Sequence, residues 1–223
     1  MISGSSPAAN ATTVSPSYWR DSESLNQLTH GIGAVLSVIG AIVLVVASIQ
    51  SQNAWAIVGC CIYSVSLVAL YFSSTLSHSF SDAKRRNFYR TLDQVCIFVM
   101  MAGSYTPVGL TIMRQGAWWV LLLSMWAFAI GGVCYKVFVT KLENVSFWFY
   151  LCVAWLPGLT IYSISQHIGM DCVALILGGA ACYMVGTYFF VNDHKSPYHH
   201  AIWHICVVVA SACHYFVHLI YVV

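Results

Sequence analysis

The sequence predicts an all-α membrane protein with seven transmembrane helices, its N-terminus in the cytoplasm and its C-terminus outside. Three observations carry that prediction. The chain of 223 residues is 59% hydrophobic and only 7% charged, whereas soluble domains run near a quarter charged. Apolar runs of about 20 residues, the length that crosses the hydrocarbon, recur along it. The few cations are divided unevenly among the connections between those runs.

The predicted spans are 27–49, 54–78, 91–113, 117–139, 146–166, 170–191 and 199–222. Their connections are short: QSQNA after the first, SFSDAKRRNFYR after the second, KVFVTKLEN after the fourth. Arg20, Lys84, Arg85, Arg86, Arg90, Lys136, Lys141 and Lys195 fall on one side of the membrane, and Arg114 alone on the other. Lys and Arg stay on the cytoplasmic side, so the N-terminus is inside, and an odd number of spans puts the C-terminus outside. Pro107 in AGSYTPVGL and Pro157 in WLPGLT predict kinks. Trp118, Trp119, Trp148 and Trp203 lie near predicted ends, as an interfacial belt does.

The start, MISGSSPAANATTVSPS, carries no charged side chain and cannot bury a core. Residues 1–22 therefore read as a disordered cytoplasmic tail, without the pattern of a cleavable signal, and 23–223 as the seven-helix transmembrane domain. Nine cysteines are scattered without a CxxC pair, mostly inside apolar runs, where a thiol packs as a small hydrophobe. The cations are not gathered with aromatics beyond one short loop, so the expected partners are membrane lipids and not nucleic acid.

Polar residues collect at one level. ESLNQLTH begins the first span with Glu23, Asn26 and His30. SSTLSHS ends the second with Ser74 and His78. LDQ begins the third with Asp93, and HHAIWH begins the seventh with His200 and His204. In the predicted orientation all lie at cytoplasmic helix ends. Ser74 and His78 share a helix face at i, i+4, and so do His200 and His204. Pro197 suits a helix start, which places His200 about one turn in and His204 about two. A histidine pair at this spacing plus a third imidazole from another helix makes a three-ligand zinc site with an open fourth position. His200 and His204 are the predicted pair and His78 the third ligand. Asp93 would hold the water or a ligand histidine, and zinc brings the pKa of bound water to about 7. A proton relay or a structural polar network is the alternative for the same residues. His214 and His218 repeat the spacing further along, and polar packing is expected of them. Polar groups are expected to stop at the half that holds Asp93, which argues against a simple aqueous pore.

These motifs, LTHGIGAVLS, STLSHS, LDQVCIFVMMAGSYTPVGL and HAIWH in order, resemble the haemolysin III branch of the progestin and adipoQ receptor family over residues 23–223. The resemblance implies a seven-helix fold related to the alkaline ceramidases, with zinc at the cytoplasmic side. It implies His78, His200 and His204 as ligands and places the catalytic candidates Asp93 and Ser74 close to the metal and its water. It implies that Glu23, Asn26 and His30 brace the site. Gln94 departs from the histidine that follows the aspartate in many relatives, and it is not a proposed ligand. The resemblance also implies a bacterial source and a home in the inner membrane.

Three functions compete. A zinc-dependent hydrolase would cleave a lipid amide such as a ceramide, with Asp93 as general base. A membrane-homeostasis or receptor-like protein would use zinc structurally. A pore would account for the haemolysin name of the branch. Asp93→Asn that abolishes activity but keeps zinc marks the enzyme. Loss of fold with His78→Ala marks structural zinc, and leakage from liposomes marks the pore.

Overall fold

The computed structural model describes residues 16–116, 118–140 and 147–223, and its regular elements over these are all helical. Helix α1 (Pro16–Gln50) starts on proline, whose missing N–H costs nothing at a first helical position. It therefore begins upstream of the predicted boundary at 22, and residues 1–15 of the predicted tail lie outside the described residues. Helix α2 (Ala54–Ser77) is capped by Asn53, whose Oδ1 accepts from the amides of Trp55 and Ala56 at 3.1 and 3.4 Å.

Helix α3 (Ala83–Leu110) corrects the third predicted span, which was to start at 91. The Asp82 carboxylate accepts from the Arg85 amide at 2.9 Å and caps the helix there. KRRNFYR is therefore the first two turns of α3 and not a loop. Helix α4 (Trp118–Cys134) runs on as a π-helical turn over Tyr135–Thr140. The fifth predicted span is broken and not merely kinked. Helix α5 (Phe147–Trp155) passes through a 3-10 turn (Leu156–Thr160) containing Pro157 into α6 (Ile161–His167). Helix α7 (Met170–Val191) matches its predicted span. Helix α8 (His199–Tyr221) begins after Pro197, not on it, so His200 sits within the first turn.

The elements follow one another around a ring. Helix α1 packs on α2, α2 on α3 and α3 on α4; the 3-10 turn meets α4, α6 meets α7, α7 packs on α8, and α8 closes on α1. Close helix approaches at Gly59 and Gly186 need glycine. A Cβ on Gly59 would lie 2.7 Å from the Cα of Pro107, and one on Gly186 would lie 2.7 Å from the Cβ of Cys206. The first brings α2 against α3, the second α7 against α8.

Ser22–Gln50, Ala54–Ser77, Trp118–Val139, Met170–Val191 and His199–Tyr221 are each long and apolar enough to cross a membrane. Their outward faces are greasy: Ile42 is 62% exposed and Val65 70%. A surface of that kind is tolerated against lipid and not against water, and the protein is an integral membrane protein. The nine cysteines are all free, consistent with packing roles.

Candidate metal centre

Helix ends far apart in sequence bring the predicted residues together. Helix α2 ends at Ser77 and His78 caps it, so the imidazole hangs from the terminus. His200 and His204 come from the first two turns of α8. One ring nitrogen from each of His78, His200 and His204 lies within 4.8 Å of the other two. The rings meet edge to face, with centroids 5.1 Å apart for His78–His200, 5.1 Å for His78–His204 and 4.6 Å for His200–His204.

Hydrogen bonds decide which nitrogen faces inward. Nδ1 of His78 lies 2.6 Å from Glu23 Oε2. A carboxylate only accepts, so Nδ1 carries the proton and Nε2 keeps a lone pair. Nδ1 of His204 donates to the Asn26 carbonyl at 3.1 Å and stands 3.0 Å from Thr29 Oγ1. The Thr29 hydroxyl turns its own proton toward the carbonyls of Leu25 and Asn26, so it too accepts from His204. Nδ1 of His200 is 3.7 Å from Asp193 Oδ2. Three imidazoles, two with Nδ1 hydrogen-bonded to oxygen and the third with Nδ1 facing a carboxylate from 3.7 Å, offer the donor set and the outer shell that a divalent metal requires. The residues fit zinc: His78, His200 and His204 would hold it, leaving a fourth position open.

The supporting residues divide. Glu23 orients His78 and is itself paired with Arg86, while Arg90 approaches it at 3.8 Å. Asn26 serves through its main chain, and its buried Oδ1 has no hydrogen-bond partner among the described residues. His30 is buried and stacks on His204, centroids 3.6 Å apart and planes 17° apart, which props the ligand ring. The Asp93 side chain crosses from α3 to hydrogen-bond Ser74 on α2. Ser74 lies one turn before His78 on α2, and neither Ser74 nor Asp93 belongs to the group of three.

Thr29, Arg86 and Asp193 had no assigned role in the sequence. Thr29 precedes His30 on the face that turns toward α8. Arg86 was hidden in a run read as a loop. Asp193 lies in the connection before α8, and an acid so near a predicted ligand was a usable signal.

A second polar network lies deeper. Tyr71 and Tyr183 direct their hydroxyls to Ser211 Oγ at 3.0 and 3.2 Å, and Tyr63 donates to the Ser211 carbonyl at 3.2 Å. Ser211 stands seven residues beyond His204, about 10 Å at 1.5 Å per residue. Polar groups therefore do not stop at the level of Asp93. The sequence does not single them out, because α2, α7 and α8 each supply only one or two.

The haemolysin-III related family matches residues 18–215. The chain is 37% identical to "Hemolysin-3" of Bacillus cereus over 201 residues, covering 90% of this chain and 91% of that protein. It is 35% identical to the "Hemolysin-3 homolog" of Bacillus subtilis over 202 residues, covering 90% and 94%. It is 29% identical to the human "Monocyte to macrophage differentiation factor" over 203 residues, covering 86% and 80%. With the family matching residues 18–215 and relatives 35–37% identical over nearly the whole chain, this protein belongs to the haemolysin III related family.

Proposed function

We propose that the protein is a zinc-dependent hydrolase of lipid amides, acting in membrane lipid homeostasis from a site near the cytoplasmic face of a bacterial inner membrane. The observation that carries this reading is the convergence of three imidazoles whose outer nitrogens face oxygens on α1 and before α8. Zinc held there supplies a Lewis acid that polarises a carbonyl and acidifies water. The chain does the rest. Asp93, oriented by Ser74, takes the proton from the attacking water and returns it to the departing amine. Glu23, Asn26 and Thr29 keep the ligand rings in place.

Seven crossings with the N-terminus inside belong to the same proposal. The end of α2 and the start of α8 meet at the cluster, so an even number of crossings lies between them. Helices α4 and α7 cross, hence α3 and the α5–α6 segment either both cross or neither does. Helix α3 spans 28 residues, about 42 Å at 1.5 Å per residue, and packs along α2. That supports crossing by both.

The test begins with bound metal. Wild type and His204→Ala are purified in mild detergent and their metals measured by elemental mass spectrometry. About one zinc per wild-type chain and none in the variant is expected. Asp93→Asn should keep the zinc and lose hydrolysis of ceramide-type amides. Zinc retained with no lipid amide cleaved by the wild type would sink the enzyme and leave a structural or receptor-like role. The haemolysin names of the Bacillus relatives favour a cytolytic reading, for which dye leakage from liposomes containing the purified protein is the check.

A further inference from the structure

We infer that Arg86 is a positioning residue for the metal centre, acting on the ligand His78 through Glu23; this rests on the zinc reading above. The Glu23 carboxylate ties three helices together. Its Oε2 takes the Nδ1–H of His78 on α2, and its Oε1 takes the Arg86 guanidinium on α3. Helix α1 packs chiefly on α2 and α8, so this ion pair is what fastens Glu23 to α3. A carboxylate bound through one oxygen can rotate away from its histidine. Bound through both, it holds the imidazole in one orientation, and the ligand nitrogen opposite is held with it.

Arg90 provides an internal control. It follows Arg86 by one turn on α3 and points at the same Oε1, but from 3.8 Å, and its side chain is 50% exposed against 31% for Arg86. The two arginines bring the same charge to the same carboxylate, and only one touches it. The sign of the effect separates the explanations. Through-space electrostatics says that removing a cation beside a metal site tightens the metal. Positioning says that removing Arg86 loosens it.

The experiment measures zinc dissociation constants by competition with a chromophoric chelator, on the full chain in mild detergent. The proteins are wild type, Arg86→Gln, Arg90→Gln, Glu23→Gln and the Glu23→Gln/Arg86→Gln double variant. Arg86→Gln should weaken zinc by about 10-fold, as loss of outer-shell partners does. Arg90→Gln should leave binding unchanged or slightly tighter. In the Glu23→Gln background the Arg86 substitution should add nothing, because its route runs through Glu23. Zinc bound by Arg86→Gln as tightly as by wild type, or more tightly, overturns the inference. So does an equal loss in both backgrounds. If Arg86→Gln does not fold, Arg86→Lys keeps the charge without the planar fork and should weaken zinc several-fold; unchanged affinity there overturns the inference too. A wild type without zinc removes the zinc reading and this one together, whereas a zinc-loaded wild type with an indifferent Arg86→Gln removes only the role of Arg86.

Discussion

Helix α8 carries two histidine pairs at the same i, i+4 spacing, His200 with His204 and His214 with His218. Their surroundings differ. His204 is 1% exposed and His218 2%, so burial does not distinguish them. His204 has an imidazole from α2 and another from its own helix within ligand distance, and main-chain and hydroxyl oxygens on its far nitrogen. His218 meets the ring of Tyr63 edge to face at 4.5 Å. His214 donates toward the Ile176 carbonyl at 3.4 Å and lies over Gly179, where a Cβ would come within 2.6 Å of its ring. No carboxylate faces the second pair among the described residues, and no third imidazole joins it. Spacing puts two rings on one face; what the neighbouring helices bring decides whether that face gains a third imidazole or only packs.

The largest effect should separate the pairs outright. His204→Ala removes zinc altogether, while His218→Ala keeps about one per chain, both read by elemental analysis of purified protein. Zinc lost from both variants would mean the two regions are a single unit. Next, Glu23→Gln should lower zinc affinity 10- to 100-fold in chelator competition, because Gln holds the His78 imidazole without a charge and with a single acceptor. His218→Ala should then show its own signature, a stability loss of about 2–3 kcal/mol from the emptied space beside Tyr63, seen as a lower midpoint on thermal unfolding in detergent. The smallest change belongs to Tyr71→Phe, which deletes the bond to Ser211 and should cost about 1 kcal/mol with zinc content untouched. A Tyr71→Phe protein that loses zinc would show that the deeper network supports the metal centre.

The same contrast explains what could be read from the residues alone. Features set within one helix were legible: the pairing of Ser74 with His78, the His200–His204 face, and the apolar runs of α2, α7 and α8. Features set between helices were not. Nothing in the order of residues says that Thr29 faces His204, or that Tyr63, Tyr71 and Tyr183 converge on Ser211, because each contact joins helices far apart in the chain. The start of α3 is obscured for a different reason. A cationic run resembles a loop in a membrane protein, yet Asp82 ahead of it was a capping signal. Pro157 and Gly158 together marked a break, and the structure makes it a 3-10 turn.

The ring of helices closes last at α8, and two of the three imidazoles arrive with it. While the chain is being made, α1 and α2 can already join Glu23 to His78, but a chain stopped anywhere before α8 owns one imidazole of the three. A truncated or partly inserted product therefore cannot present the cluster. Any capacity of the cluster to hold a metal ion depends on α8 being in place.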